Sequence, residues 1–311
     1  MTDRASRKPA PTILCAGIAV QDIVMRVERF PEPGSKIYAS EYITTGGGCA
    51  ANAAVTIARI CGHARFAGPL GDDNDEASRS VVAALTRESV DCSGVLRVGG
   101  GSASVSLILL DAAGEKEIAT RRGNGLTTAA PTDPARLVAD VDAVLVDNRF
   151  PAFATPICQA AVARGIPVIV DLDQAMTPDD PLLALGSHVI ASAEGLRGTM
   201  QTQDITEALP KLATHLKGFA AVTDGPAGVF FMKGVEVRHM PAFKVDAIDT
   251  LGAGDAFHGA FTLSLIESGD VIQAMRFASA AAAIKCTRFG GLTGAPTRAE
   301  IHEFLTSRAA R

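Results

Sequence analysis

The chain reads as an α/β protein with a mostly parallel central sheet, helices on both faces in three layers, and a small β-sheet set apart from it. Three observations predict this. From Val141 onward, short apolar runs alternate with helix-patterned stretches, the rhythm of a parallel sheet built from βαβ units. The first apolar run, 12–20, has no polar face, as a strand covered by helices on both sides requires. Two β-rich excursions, 23–45 and 99–120, interrupt that pattern.

Residues 12–20 form the first strand and Asp22 ends it. Ligands of open α/β sheets gather at the carboxyl ends of strands, so this acid is a candidate ligand as well as a candidate turn cap. The excursion 23–45 holds a partly alternating run, a turn at Pro31–Gly34, and an exposed strand over 36–43. Gly46-Gly47-Gly48 then opens an alanine-rich helix that ends near Gly62. Gly46, Gly48 and Ala51 match the spacing of a dinucleotide loop, which leaves an NAD(P)-dependent oxidoreductase as an alternative. Against it, residues 41–45 make a poor buried strand.

A strand over 64–70, a helix over 75–88 and two strands over 102–111 and 117–120 follow. Arg121-Arg122 marks the return to the core. There the pattern gives strands at 141–147, 167–171, 189–190 and 219–223, with helices at 153–164, 181–186 and 205–216. Arg149 closes the first of these strands, where a guanidinium suits an oxyanion. Helices over 256–266, 271–285 and 298–305 complete the chain.

Composition bounds the partners. The 311 residues suit one large domain, or a core with a smaller appendage. With 47% hydrophobic and 20% charged residues the chain is not disordered. A net charge of −5 gives no basic excess for nucleic acid or an anionic membrane. The six cysteines include no Cys-x-x-Cys pair and read as buried thiols in a reducing compartment. The run 13–20 is too short to span a bilayer, and no secretion leader is visible, so a cytoplasmic location is expected.

The chemistry concentrates in Asp249-Thr250-Leu251-Gly252-Ala253-Gly254-Asp255 and the helix behind it. Gly252 and Gly254 allow a sharp bend and close approach of a ligand. The first amides of a helix lack intrahelical partners and sit at its positive end, so such a bend binds an anion. A carboxylate beside bound phosphate needs a reason, and accepting a proton from an attacking hydroxyl is the simplest. A plain helix cap is the other reading of Asp255.

Asp-Thr-x-Gly-Ala-Gly-Asp-x-Phe-x-Gly-Ala over 249–260 resembles the C-terminal motif of the ribokinase-like (PfkB) carbohydrate kinases, and Gly-Gly-x-x-Ala-Asn over 47–52 resembles their N-terminal motif. The resemblance implies a ribokinase-like fold with a core of residues 12–22, 46–98 and 121–311. It implies a β lid of 23–45 and 99–120, and because exposed lid strands invite edge pairing between subunits, a homodimer through the lid is expected. It implies ATP and Mg²⁺, Asp255 as base, and an anion hole from Gly252, Ala253 and Gly254. Asp22, Gly47, Gly48 and Asn52 would hold the sugar, although Cys49 and Ala50 stand where the family often has glycine or lysine. Thr223, Gly225, Gly228, Gly254 and Ser279 would line the nucleotide, and Glu194 would hold hydrated Mg²⁺, with Ala191 in place of the family's usual asparagine. A monovalent cation such as K⁺ would lie among Asp249, Leu251, Arg288 and Gly290.

Within the family, stretches such as 241–246, 276–279 and 285–288 are most similar to the kinases that phosphorylate 6-deoxy-6-sulfofructose at O1. Arg149 would then meet the sulfonate, helped by Lys36 or Arg121. Another ketohexose, ribose, a 2-keto-3-deoxy sugar acid or a nucleoside are the alternative acceptors. A non-catalytic sugar-binding regulator is the alternative of another class.

Overall fold

The computed structural model describes residues 10–309. Strand β1 (Ile13–Ala16) is shorter than the apolar run suggests, and the chain re-forms as β2 (Val20–Arg26) in a different sheet. The break has a local cause. Asp147 Oδ2 accepts the amides of Ile18 at 2.8 Å and Ala50 at 3.1 Å, and a Cβ on Gly17 would lie 2.2 Å from that oxygen. Asp22 therefore lies inside β2 and does not end β1, which corrects the sequence reading.

The small sheet continues with β3 (Glu41–Gly47), antiparallel to β2. The strand expected over 36–43 begins only at Glu41. Then come α1 (Cys49–Cys61), β4 (Ala64–Gly71), α2 (Glu76–Arg87) and β5 (Asp91–Val98). The second excursion supplies β6 (Ser104–Leu110) and β7 (Lys116–Arg121). A short α3 (Pro134–Leu137) leads to β8 (Ala143–Asp147), α4 (Pro151–Ala163), β9 (Val168–Leu172) and α5 (Pro181–Leu185). Next are β10 (His188–Ser192), α6 (Ala193–Met200), α7 (Ile205–Thr214) and β11 (Phe219–Thr223). A hairpin, β12 (Val229–Lys233) and β13 (Glu236–Met240), precedes α8 (Ala253–Ser268), α9 (Val271–Cys286) and α10 (Arg298–Ala309).

The large sheet has the order β13-β12-β11-β10-β9-β8-β1-β4-β5, parallel from β11 to β5, with the hairpin antiparallel at its edge. The small sheet runs β3-β2-β6-β7. Period-2 alternation divides the core of the large sheet cleanly. Ile13, Cys15, Leu145, Ile169, Ile190 and Ala221 face the layer of α1, α8 and α9. Leu14, Val144, Val146, Val170, Val189 and Val222 face α4, α5, α6 and α7. The three-layer α/β fold expected from the sequence is present.

One contact places the site. A Cβ on Gly259 of α8 would lie 2.6 Å from the carbonyl oxygen of Ala53 in α1, so these helices meet backbone to backbone. That approach carries Asn52 of α1 to the first turn of α8. Among the five cysteines with described side chains none is disulfide-bonded; Cys15 and Cys158 are buried, whereas Cys49, Cys92 and Cys286 are only half-buried. Among the described residues no helix is long and apolar enough to cross a membrane.

Candidate active site

Asp255 lies in the first turn of α8, whose N-cap is Gly252 in the left-handed region at φ 75°. No side chain caps this helix. The Asp255 carboxylate instead accepts a 2.6 Å hydrogen bond from Asn52 Nδ2, so the capping alternative fails. Asn52 Oδ1 is buried without a protein partner, an acceptor held ready for a ligand donor. His258 fastens the turn from below: its ring nitrogens lie 2.8 Å from the Gly254 carbonyl and 3.2 Å from that of Ile190 in β10.

The bend divides two cavities. A cavity of about 430 Å³ is lined by Gly252 and Asp255 of the bend, by Gly48, Cys49 and Asn52 around the start of α1, and by Asp22, Ser106 and Thr120 from the small sheet. A second cavity of about 610 Å³ is lined by Thr250, Ala253 and Gly254 of the same bend. Thr223, Gly225, Gly228 and Ser279 also line it, with Val229, Phe243, Ala282 and Ala283 as apolar walls. Ala253 N–H donates to the Thr250 carbonyl at 3.2 Å, so two ligands that fill these spaces meet over the amides of Gly254 and Asp255 at the positive end of α8.

Asp22, which lines the first cavity, is fitted against Gly47 behind it, which lines neither cavity. A Cβ on Gly47 would lie 1.9 Å from Asp22 Oδ2, so only glycine leaves the carboxylate its place. Gly48 adopts φ 95°, and a Cβ there would meet the Ile18 carbonyl at 2.7 Å. Burial and the Asp255 carboxylate raise the Asp22 pKa to about 7, against a Ser106 hydrogen bond that lowers it. Asp255, at the cavity floor, is raised to about 6 by burial. Asn52 holds it down, Asp173 and Asp147 push it up, and Arg149 opposes them. A carboxylate near 6 is ionised at neutral pH yet more basic than an ordinary aspartate.

Other expected residues fall differently. Arg149 lines the sugar-side cavity, but its guanidinium is paired with Asp173, while its Nε is buried with no protein partner. Lys36 and Arg121 are exposed and line neither cavity; Arg121 instead donates to the Ala103 carbonyl at 2.9 Å. Arg122, its neighbour, lines the first cavity, and Lys116 lines the second. The Arg-Arg pair pointed to the right place and the wrong member, because alternation along β7 could not be phased from sequence. Glu194 is exposed in the first turn of α6 and lines neither cavity, so direct coordination of a Mg²⁺ inside either cavity by this side chain does not fit.

A free monovalent cation does not fit at Asp249 either. Asp249 is fully buried, its Oδ1 accepts Leu251 N at 2.7 Å, and its Oδ2 accepts Gly290 N and Gly291 N at 2.9 and 3.2 Å. Lys285 Nζ lies 2.9 Å from the Asp249 carbonyl and 3.1 Å from Oδ2. Arg288 turns away to Glu300, and the Gly290 carbonyl accepts Thr293 Oγ1 at 3.0 Å.

A shared floor lets the phosphate of one ligand and the hydroxyl of another approach in line, beside a base and above a set of amides. This is what a phosphotransferase with an alcohol acceptor needs, and it is the class that the site defines. The model of the pfkB family of carbohydrate kinases matches residues 10–298, and the chain belongs to that family. Among its relatives is a ribokinase of Bacillus subtilis (strain 168), 27% identical over 297 residues, covering 94% of this chain and 99% of the relative. An ATP-dependent ribose-1-phosphate kinase of Halopiger xanaduensis is 29% identical over 298 residues, covering 95% and 98%. The crystal structure of a candidate ribokinase from Agrobacterium tumefaciens superposes with a TM-score of 0.91 at 33% identity, covering 97% and 99%. The chain is thus a carbohydrate kinase with a ribokinase-like fold, and the oxidoreductase reading falls. Gly46 and Gly47 are the last residues of β3, a strand of the small sheet that pairs antiparallel with β2, and Gly48 follows it; β3 is not the first strand of a βαβ unit.

Proposed function

We propose that the protein transfers the γ-phosphoryl group of MgATP to a hydroxyl of a small ketohexose, with 6-deoxy-6-sulfofructose, phosphorylated at O1, as the leading acceptor. One observation carries the kinase mechanism: Asp255 lines the sugar-side cavity from the first turn of the same helix whose Ala253 and Gly254 line the other cavity. The sugar lies between Asp22 and Asn52, whose carboxylate and Oδ1 accept from its hydroxyls and set one of them against Asp255. Asp255 takes the hydroxyl proton as the oxygen attacks phosphorus. The amides of Gly254 and Asp255, joined by that of Ala253 once it leaves the Thr250 carbonyl, receive the charge that develops on the phosphoryl oxygens. The Mg²⁺ that accompanies ATP neutralises phosphate charge and is brought by the nucleotide. The small sheet covers the sugar and excludes water, whose attack would hydrolyse ATP.

Two guanidinium groups in the sugar-side cavity support an anionic substituent on the acceptor: Arg122, and Arg149 with its unpartnered Nε. The names of the relatives favour ribose as the second reading. A coupled ADP-release screen over sulfofructose, fructose, ribose, 2-keto-3-deoxy acids and nucleosides separates them. Turnover with ribose at higher kcat/KM than with any ketohexose would discard the sulfofructose assignment. In the same assay Arg122→Ala lowers the preference for sulfofructose over fructose about 10- to 100-fold, the worth of one charge-assisted hydrogen bond. An unchanged ratio removes Arg122 from sulfonate recognition.

The acid limb of the pH profile follows from the raised carboxyls. Asp255 near 6 and Asp22 near 7 must both be ionised to accept a proton or a hydroxyl hydrogen. Acceptor kcat/KM therefore climbs between about pH 5.5 and 7.5 and levels above, because it reports groups of the free enzyme. A profile flat down to pH 5 would contradict this electrostatic account.

A further inference from the structure

We propose that the ammonium of Lys285 is a built-in cation for the phosphoryl-binding bend, in the place where the family resemblance puts a monovalent metal ion, so that this kinase works without K⁺. The inference rests on the kinase reading for its activity arm only. A carboxylate as deeply buried as that of Asp249, 0% exposed, requires a cationic or strongly donating partner. Three amides supply part of this, and Lys285, 1% exposed, supplies the positive charge. Its Nζ bonds both the main-chain carbonyl and the carboxylate of Asp249, three residues before Gly252.

A metal ion drawn to those two oxygens would have to share the space of Nζ, and two like charges in contact repel. The lysine stem is held as firmly as its head: a Cβ on Gly294 would come 3.2 Å from Lys285 Cε. Ile248 and Asp249 also donate their amides to the Cys286 carbonyl at 2.8 and 3.1 Å. The charge thus arrives on α9, already placed, and ties that helix to the bend that receives the phosphoryl group. Lys285 touches neither sugar nor nucleotide and acts as a positioning residue.

The test compares KCl with choline chloride at equal ionic strength, reading Tm and sugar-dependent ADP release. For the native chain both readings stay the same in the two salts; a higher Tm or rate in KCl overturns the proposal. Lys285→Ala removes the charge and leaves room for an ion. Its kcat falls about 10- to 100-fold with the sugar KM little changed, as a misplaced anion hole predicts. KCl, but not choline chloride, raises its Tm and restores part of kcat. Lys285→Met removes the charge but keeps the volume, and it shows no KCl response. A Lys285→Ala protein that answers equally to both salts also overturns the proposal. Should a variant fail to fold, the native comparison decides alone. Should no sugar give turnover, the kinase reading fails while the Tm comparison still reports on the cation.

Discussion

Asp255→Asn is expected to lower kcat about 10²- to 10⁴-fold, the contribution of a positioned general base. The substitution is the informative one because the asparagine carbonyl can still accept from Asn52 Nδ2, which now bonds the carboxylate at 2.6 Å. Alanine would orphan that amide and confuse loss of chemistry with loss of structure. Tm and the Kd for ATP should therefore stay close to native. A rate within a few-fold of native in steady-state assays would show that the hydroxyl loses its proton elsewhere, and the reading of the bend would collapse with it.

Gly47→Ala should be nearly as damaging, by a different route. The new methyl would overlap Asp22 Oδ2, at 1.9 Å, and both residues sit in paired strands that cannot yield cheaply. The carboxylate must swing away from the sugar. A displacement of about an ångström in a positioning residue costs roughly 10² in kcat/KM. The loss should fall on the sugar, since the displaced Asp22 lines the sugar-side cavity and not the nucleotide cavity. Calorimetric titration checks this: sugar affinity falls while nucleotide affinity holds. Unaltered sugar binding would mean that Asp22 is not a sugar ligand.

The sequence made the regular part of the fold readable where burial leaves a periodic trace. The strands from β8 to β11 are short apolar runs closed by polar residues, and α4, α5 and α7 between them are legible as helices. It misled where a tertiary contact overrides that trace. The run 12–20 looks continuous because nothing in it shows that Asp147, far along the chain, draws the Ile18 amide and breaks the strand. β5 was unread because its residues are mostly half-buried or exposed at the sheet edge, and α6 because its eight residues carry little apolar character. The sequence pattern does not single out the hairpin β12–β13.

The candidate site divides along the same line. Asp255, Gly252, Asn52 and Gly47 announce themselves through local backbone demands: a left-handed bend, an open helix end, a strand too crowded for a side chain. Arg122 and Lys285 make no such local demand. Lys285 lies within an alanine-rich helix, and only packing reveals that its head reaches Asp249, 36 residues earlier. The pairing of Arg149 with Asp173 likewise joins the ends of two different strands, so the sulfonate ligand proposed from sequence arrives already engaged.

Because Gly259 lets α1 and α8 touch main chain to main chain, the Asp255 carboxylate and the Asn52 amide that bonds it are carried by one closely packed helix pair. The layer that faces the acceptor from the other side is β2, β6 and β7, which presents Ser106, Thr120 and the residues after them. The fold thereby separates a constant engine from an exchangeable reader. Anyone seeking to retrain this kinase toward a new sugar should randomise those strands and leave the helix pair untouched.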